Sequence, residues 1–173
     1  MQEIIVRAET PEDVRAIDVV NLSAFEGEAE AQLVGELRGS PGFVPDLSLV
    51  AELNGRIVGH VLLSRVLLRQ AGGSVEVLAL GPMSVVPSQS HRGIGSELID
   101  AAIARARPLG YRAIVVAGPP EYYRRCGFSP ASEWKIGCNL NIPADALSAM
   151  ELKPGVLAKG GEVEYPAAFS KLY

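Results

Sequence analysis

Residues 80–106 contain the residue types that can bind a phosphate. An apolar run is followed by a polar loop that carries Gly93 and Gly95, after which apolar residues recur with the period of a helix. The first N–H groups of a helix have no internal partners, and the aligned peptide dipoles leave partial positive charge there. The two glycines have no side chain to keep an anion away, and His91 and Arg92 can add positive charge. This stretch can therefore hold a phosphate-bearing ligand.

Two other phosphate-binding motifs fit this stretch poorly. The dinucleotide fingerprint requires a third glycine, where Leu98 stands, and an acidic residue about 20 positions further on. The nucleoside-triphosphate loop requires Gly-Lys followed by Ser or Thr, which the chain does not contain. A nucleotide-binding α/β enzyme is therefore a poor interpretation. On the residues alone, a plain strand-to-helix turn without a ligand stays open.

A second stretch, residues 118–128, places a tyrosine on a short predicted helix. Gly127 is expected to cap this helix, and a strand is expected to begin at Phe128. Tyr123 can be an ordinary packing residue, but a phenol with a pKa of about 10 is also a proton donor at neutral pH. Tyr122 points about 100° away from it on a helix, so the two rings cannot both serve one site.

Both stretches, in this order, resemble signatures of the GNAT acetyltransferase superfamily. The coenzyme A loop of that family reads Gln or Arg, two residues, Gly, one residue, then Gly or Ala. Gly93, Ile94 and Gly95 match it, whereas Ser90 stands at the first position. The second signature is a tyrosine followed four and five residues later by Gly-Phe, and Tyr123 occupies the tyrosine position.

The resemblance covers most of the chain and is tightest from Leu49 to Phe128. It implies a GNAT-like α/β (α+β) fold: a mixed, mostly antiparallel central sheet with a splayed parallel strand pair, flanked by helices. It also implies acetyl-CoA as cosubstrate, no metal, and an N-acetyltransferase that moves an acetyl group to a primary amine by direct attack on the thioester. The tail resembles the C-terminal extension of small bacterial members of a predicted N-acetyltransferase group.

The resemblance also assigns roles to individual residues. Tyr123 is implied as the general acid for the departing thiolate, whose conjugate thiol has a pKa of about 8.5. The backbone of a strand next to the loop is implied to pair with the pantetheine arm and to supply an N–H for the developing oxyanion. The implied cofactor-binding residues are Met83, Ser84, Val85, Ser90, His91, Arg92, Gly93, Ile94, Gly95 and Ser96.

The group that takes the proton from the amine is the least defined part of the predicted site. Glu76 is a lone carboxylate in an apolar strand, and an outward-facing, solvated position explains it better than a catalytic role. Asp46, His60 and Glu121 are no better supported, and water could relay the proton. An acyl-CoA-binding module without catalytic activity therefore remains the alternative function.

Two predicted helices and a strand precede the sheet residues that lead to the loop. Ile4 to Arg7 is a candidate strand. Thr10-Pro11 predicts the start of a helix, because Thr10 offers a capping hydroxyl and Pro11 suits the first helical position. A second helix is expected over Glu30 to Leu37, ending at Gly39 to Gly42. The expected core positions of the two helices are Val14, Ile17, Val20, Asn21, Phe25, Leu33, Val34 and Leu37.

The expected sheet begins with a hairpin at Asn54-Gly55, which joins strands over Leu47–Leu53 and Arg56–Arg69. A third strand spans Val75–Val86 and carries Gly81-Pro82, a pair that marks a bulge or an edge distortion. After the loop, a helix should bury a face of small and apolar residues, and Ala113–Ala117 should form a strand parallel to the third one. That helical face comprises Ile99, Ala102, Ile103 and Ala106.

Composition limits the classes of protein that the chain can belong to. With 173 residues, 48% of them hydrophobic, it is expected to form one domain over residues 1–173, of which 129–173 make a C-terminal β-rich extension. A net charge of −4 and no basic run speak against a nucleic-acid partner, and no apolar stretch is long enough to predict a membrane partner.

Location and partners are further expectations. Met1-Gln2-Glu3 lacks the basic start of a secretory signal, and the free Cys126 and Cys138 are too few for a disulfide framework, so a cytoplasmic protein is expected. The implied partner is a small-molecule or peptide amine acceptor, and a homodimer is possible. The acceptor itself carries no recognisable signal.

Overall fold

The structure is a computed structural model that describes residues 3–173. Its strands are β1 (Ile4–Ala8), β2 (Phe43–Leu53), β3 (Arg56–Gln70), β4 (Gly73–Val85), β5 (Ala113–Ala117), β6 (Ser129–Pro130), β7 (Ile136–Cys138), β8 (Leu147–Glu151) and β9 (Gly161–Glu164). Its helices are α1 (Val14–Ala24), α2 (Ala29–Arg38), α3 (Ile94–Ala106) and α4 (Pro120–Arg125). None of these helices is long and apolar enough to cross a membrane.

The chain forms two compact units. The first unit comprises the described residues up to Leu63 together with Pro82–Ala106, and the second comprises Ser64–Gly81 and Arg107–Tyr173. The long strands β3 and β4 each contribute residues to both units. The first unit contains the predicted phosphate loop, and the second contains the predicted general acid.

In the first unit, β1 and β2 pair antiparallel, with Ile4 opposite Leu53 and Ala8 opposite Leu49. The predicted hairpin at Asn54-Gly55 is confirmed, since these residues have φ values of +52° and +76° as in a type I′ turn. Near the start of β3, the N–H of Val86, the residue after β4, donates to the carbonyl oxygen of Val58 at 2.8 Å. The helices α1 and α2 contact each other, and α3 packs against β1 and β2.

The helical core positions of the first unit are largely those predicted. In α2, Leu33, Val34 and Leu37 are buried as expected. In α1 the buried residues are Ile17, Val20 and Asn21, while Val14 and Phe25 are only half-buried. Phe25 is half-buried because it lies past the end of the helix in extended backbone.

The start of α1 differs in one detail from the expectation. The segment Pro11–Asp13 forms a 3₁₀ turn, and the α-helix itself begins at Val14. The carboxylate of Asp13 accepts hydrogen bonds from the N–H of Thr10 at 2.7 Å and from its hydroxyl at 3.1 Å. The same carboxylate is held by Arg7 of β1 at 2.7 Å. These bonds tie the start of the helix to the first strand.

Two parallel strand pairs lie in the second unit. The predicted pair of β4 and β5 is confirmed, with Leu78 opposite Ile114 and Leu80 opposite Val116. The second pair, β7 with β9, was not predicted. Antiparallel pairings join β5 with β8, β6 with β8, and β3 with β9, and β3 is also hydrogen-bonded to β4. The expected mixed, mostly antiparallel sheet flanked by helices is therefore confirmed.

Strand β4 is distorted where the sequence placed Gly81-Pro82. Gly81 has a φ of +139°, which residues with a side chain rarely adopt, so glycine is required for this backbone. The register between β4 and β5 lies wholly before this position. The division between the two units also falls between Gly81 and Pro82.

Candidate active site

The loop before α3 has the backbone geometry of an anion site. A 3₁₀ turn over Pro87–Gln89 is followed by His91 and Gly93, whose φ values are +66° and +77°. The N–H of Glu97 donates to the carbonyl oxygen of Gly93 at 3.0 Å, which makes Gly93 the residue that precedes the helix. The N–H groups of the first three helical residues, beginning with Ile94, therefore have no acceptor within the helix. An anion can accept hydrogen bonds from them.

The side chains of this loop are mostly exposed and bond to the loop itself. The hydroxyl of Ser90 donates to the carbonyl oxygen of Pro87 at 2.8 Å, and Nη1 of Arg92 donates to Oε1 of Gln89 at 2.7 Å. Ser90 thus closes the turn where the family pattern has Gln or Arg. The predicted loop residues that are exposed are Ser90, His91, Arg92, Gly93 and Ser96, while Gly95 is half-buried.

Ile94 differs from its neighbours because its side chain is only 2% exposed. It packs in the first unit next to Gly59, where a Cβ atom would lie 3.3 Å from Cγ2 of Ile94 and 3.0 Å from Cδ1 of Leu98. Gly59 therefore lets β3 lie close to α3. Because the side chain of Ile94 is buried in the core, its backbone N–H is the part of this residue left for a ligand.

The end of β4 alternates in burial. Ser84 is 3% exposed, whereas Met83 and Val85 are half-buried. The hydroxyl of Ser84 is buried and has no hydrogen-bond partner within residues 3–173. Buried polar atoms are normally paired, so this hydroxyl needs an explanation.

Tyr123 lies on α4 in the second unit and is 8% exposed. Its ring meets the edge of Phe128 at a centroid distance of 5.8 Å, and its carbonyl oxygen accepts a hydrogen bond from the N–H of Phe128 at 3.0 Å. A Cβ atom at Gly118 would lie 2.7 Å from Cε2 of Tyr123. The Tyr-to-Gly-Phe spacing thus has a structural meaning, because the chain turns at Gly127 and returns onto the tyrosine.

Burial raises the pKa of Tyr123 above its ordinary value, and the nearby Tyr122, Tyr173 and Cys126 act in the same direction. Its phenol therefore stays protonated throughout the physiological pH range. The neighbouring Tyr122 instead lies beneath Arg125, whose guanidinium carbon is 5.7 Å from the centre of the ring. The two tyrosine rings also meet edge to face at a centroid distance of 5.1 Å.

A buried polar network in the first unit was not predicted. The carboxylate of Glu9 accepts hydrogen bonds from Arg38 at 3.0 and 3.1 Å and a short one from the hydroxyl of Ser48. Nε2 of His60 lies 2.8 Å from the same hydroxyl and 3.8 Å from Oε1 of Glu9. His60 is 0% exposed, and its Nδ1 is buried without a partner within residues 3–173. We call these four residues the Glu9 network.

The pKa values of the network follow from its burial and its hydrogen bonds. Burial alone would raise the pKa of Glu9, but the interaction with His60 and the hydrogen bonds from Arg38 and Ser48 outweigh it and lower the pKa to about 2. Burial lowers the pKa of His60 below its ordinary value, against the opposing effect of Glu9. Near neutral pH the pair is a carboxylate beside a neutral imidazole.

The other candidate proton acceptors are placed differently. The side chains of Asp46, Glu76 and Glu121 are exposed, which fits the solvated position considered for Glu76. Neither Cys126 nor Cys138 forms a disulfide bond within residues 3–173. Within residues 3–173, His, Cys, Asp and Glu side chains form no cluster suited to a metal ion.

Comparison with known sequences gives a consistent result. A profile of the acetyltransferase (GNAT) family matches residues 16–128. The uncharacterized N-acetyltransferase YhbS of Escherichia coli K12 is 30% identical over 170 residues, which cover 97% of this chain and 99% of YhbS. The uncharacterized N-acetyltransferase YjhQ of the same strain is 34% identical over 120 residues, which cover 69% of this chain and 66% of YjhQ.

Comparison with solved structures agrees. The crystal structure of YhbS from Escherichia coli in complex with CoA has a TM-score of 0.90 and 28% identity, covering 98% of this chain and 93% of that one. A GNAT family acetyltransferase from Brucella melitensis in complex with acetyl-CoA has a TM-score of 0.78 and 30% identity, covering 98% and 99%. The similarity therefore extends along nearly the whole chain.

Proposed function

The chain belongs to the acetyltransferase (GNAT) family and is therefore an acyltransferase, and from that premise we propose that it transfers the acetyl group of acetyl-CoA to a primary amine. The observation that carries the proposal is the loop geometry before α3, where Gly93 turns the chain and leaves the first helical N–H groups without intrahelical acceptors. Two similar proteins whose structures contain CoA and acetyl-CoA support this cosubstrate.

In this proposal the pyrophosphate of acetyl-CoA binds the loop before α3 mainly through backbone N–H groups. The residues proposed for it are Ser90, His91, Arg92, Gly93, Ile94, Gly95 and Ser96. The exposed Arg92 adds positive charge and His91 a polar side chain, whereas Ser90 contributes through the shape of its turn. The end of β4, over Met83, Ser84 and Val85, is proposed to pair with the amides of the pantetheine arm through its backbone.

The reaction that we propose is a direct transfer. The amine nitrogen bonds to the thioester carbonyl carbon, the carbon–sulfur bond breaks, and the sulfur leaves with the electron pair. A backbone N–H at the end of β4 stabilises the negative charge on the carbonyl oxygen. Tyr123 donates its phenolic proton to the departing sulfur. Because burial raises the pKa of Tyr123, the phenol still carries this proton when the reaction begins.

The whole chain is proposed to act as one acetyltransferase domain over residues 1–173, with 129–173 as a C-terminal β-rich extension. The strands β7, β8 and β9 and the pairing of β8 with β5 support the assignment of this extension to the same fold. We propose a small-molecule or peptide amine as the acceptor and the cytoplasm as the location. The absence of a basic run in the sequence supports the exclusion of nucleic acid.

Two measurements test this function. Acetyl-CoA at about 100 times its Kd should stabilise the protein by about 2.7 kcal/mol, which a thermal-shift experiment detects as a higher Tm. A panel of amines that includes amino acids, polyamines and peptide N-termini should then release free thiol from acetyl-CoA with at least one acceptor. Stabilisation without thiol release for every amine would favour the acyl-CoA-binding module instead. No stabilisation at all would contradict both functions.

A further inference from the structure

Two buried polar atoms of the first unit lie on neighbouring strands without hydrogen-bond partners within residues 3–173: Nδ1 of His60 on β3 and the hydroxyl of Ser84 on β4. The N–H of Val86 donates to the carbonyl oxygen of Val58, which places Val86 opposite Val58 where β3 and β4 pair antiparallel. Two residues earlier in β4 and two residues later in β3, Ser84 therefore lies opposite His60. Directly opposed side chains share one face of the sheet. The two unpartnered atoms therefore belong to directly opposed side chains on one face of the sheet.

The helix α3 covers the other face of β3 and β4, opposite to the face that carries His60 and Ser84. A Cβ atom at Gly59 would point at Leu98 and Ile94 of that helix and would lie 3.2 Å from the carbonyl oxygen of Ser84. Since successive residues of a strand point to opposite faces, His60 points away from α3. Its side chain instead enters the Glu9 network.

The Glu9 network fixes which nitrogen of His60 carries the proton. The carboxylate of Glu9 can only accept, so the hydroxyl of Ser48 donates to it. The oxygen of Ser48 is then left as an acceptor for Nε2 of His60 at 2.8 Å. The neutral imidazole therefore carries its hydrogen on Nε2 and its lone pair on Nδ1. Nδ1 is thus the free nitrogen of the residue that lies opposite Ser84.

We propose that His60 is the terminal proton acceptor of the acetyl transfer and that it receives the proton of the acceptor amine through the hydroxyl of Ser84. This inference rests on the proposed function, in which the end of β4 lies along the reacting thioester. A serine has three staggered rotamers, and rotation of Ser84 brings its hydroxyl toward either the amine or Nδ1.

The proton balance of this step is complete within the residues named. The ammonium form of the amine gives one proton to the oxygen of Ser84, while the hydroxyl proton of Ser84 passes to Nδ1 of His60. The products are a neutral amine, an unchanged serine and an imidazolium. The imidazolium keeps its Nε2 hydrogen bond to Ser48, and the carboxylate of Glu9, 3.8 Å away, stabilises its positive charge.

The charged and titratable groups around His60 come from several elements. Glu9 follows β1 and favours the imidazolium, whereas Arg38 of α2 disfavours it. Burial is the largest influence and lowers the pKa of His60, so that Nδ1 holds a lone pair at neutral pH. Ser48 on β2 and Ser84 on β4 supply the two hydroxyls, and neither titrates.

Substitution of His60 by glutamine tests the inference. In His60→Gln the side-chain amide can still donate to Ser48, but no basic nitrogen remains beside Ser84. We expect kcat/KM to fall by about 100-fold or more, because general base catalysis contributes about 10²- to 10⁴-fold. The wild-type kcat/KM should fall as the pH drops through the lowered pKa of His60, and His60→Gln should lack this acid limb. The Tm increase caused by acetyl-CoA should be unchanged.

A second substitution addresses the relay and has a matched control. Ser84→Ala should lower kcat/KM by about 10-fold or more, again without loss of acetyl-CoA binding. Ser64 also lies on β3 and also has a buried hydroxyl without a partner within residues 3–173, so Ser64→Ala is expected to keep the wild-type rate. An effect of Ser84→Ala equal to that of Ser64→Ala would overturn the relay.

The tautomer is measurable without activity, which keeps the inference testable if His60→Gln does not fold. The chain has two histidines, so a long-range ¹H–¹⁵N spectrum of the histidine-labelled protein contains few signals, and His91→Gln identifies those of His60. The expected spectrum shows a hydrogen on Nε2 and a lone pair on Nδ1. A lone pair on Nε2 would overturn the inference. If the wild type is active and neither His60→Gln nor Ser84→Ala changes its pH profile, this inference is wrong but the proposed function stands. If the wild type releases no thiol with any amine, the proposed function is wrong as well.

Discussion

Gly118 and the ring of Tyr123 are in such close contact that a Cβ atom at Gly118 would lie 2.7 Å from Cε2 of the tyrosine. Gly118 follows β5 directly, and its N–H donates to the carbonyl oxygen of Ala146 at 2.9 Å, so its backbone is fixed. The position of the phenol is therefore set by a glycine that precedes the helix as well as by Phe128 that follows it.

The first prediction concerns this contact. In Gly118→Ala the ring of Tyr123 must move, because the backbone of Gly118 cannot. We expect a loss of about 1–3 kcal/mol in the free energy of unfolding and a lower kcat, measured by urea denaturation and by thiol release. The control is Gly35→Ala, since Gly35 has an exposed helical position where a Cβ atom would have no neighbour within 4 Å. A Gly118→Ala protein with the wild-type kcat would contradict the role of ring placement.

The second prediction concerns the hydroxyl of Tyr123 itself. Tyr123→Phe keeps the ring contacts with Gly118 and Phe128 but removes the proton donor. We expect kcat to fall about 10²-fold or more while the Tm increase caused by acetyl-CoA stays the same. Tyr122→Phe is the control, because it removes the hydroxyl of the ring that contacts the ring of Tyr123 at a centroid distance of 5.1 Å and leaves the phenol of Tyr123 in place, so it should keep the wild-type kcat. Equal rates for the two variants would remove the proposed role of Tyr123.

The sequence predicted the parts of this site that depend on local backbone chemistry. Glycines at positions 81, 93 and 127 have φ values of +139°, +77° and +97°, and each marks a place where the sequence predicted a distortion, a loop or a helix cap. Such positions can be predicted from the sequence because a left-handed conformation strongly restricts the residue type. The helix α2 could be predicted because Leu33, Val34 and Leu37 recur with the period of one helical face.

The Glu9 network could not be predicted in this way. Glu9, Arg38, Ser48 and His60 come from four separate segments, and each looks like an ordinary residue in its own segment. Only the folded chain brings them together, so no spacing in the sequence encodes the contact. His60 gave a weak signal as a single histidine inside an apolar strand. The short β7 was missed because three residues are too few to show a period.

The third prediction concerns the acid stability that Glu9 provides. The pKa of Glu9 is about 2 in the folded protein, against 4.5 for an unperturbed side chain, so the unfolded chain takes up this proton first as the pH falls. The stabilisation is therefore present above about pH 4.5 and is lost between pH 4.5 and 2. In Glu9→Gln this part of the pH dependence should disappear, and the protein should be less stable at pH 7 because Arg38 loses its buried partner.

Urea denaturation at a series of pH values measures this effect as the slope of the unfolding free energy against pH. Glu12→Gln serves as the control, because Glu12 is exposed and lies near the same helix start. Its pH dependence should match that of the wild type. If Glu9→Gln also matched the wild type between pH 4.5 and 2, the lowered pKa of Glu9 would be wrong.

The fourth prediction separates anion binding from backbone strain at the loop before α3. Gly93→Ala adds a methyl group to the residue that precedes the helix, in space that is open in the structure, and forces a side chain into a φ of +77°. We expect the Kd for CoA, measured by calorimetric titration, to rise about 10-fold or more, since charge-assisted hydrogen bonds to these N–H groups are worth about 1.5–3 kcal/mol. The strain itself costs about 1 kcal/mol of stability.

Gly27→Ala controls for strain alone, because Gly27 has a φ of +83° and open space around the position of a Cβ atom. This variant should lose similar stability and bind CoA like the wild type in the same titration. Both substitutions put a side chain into a positive φ, but only Gly93 lies directly before α3. Equal CoA affinity in Gly27→Ala and Gly93→Ala would therefore show that the loop before α3 does not bind the pyrophosphate.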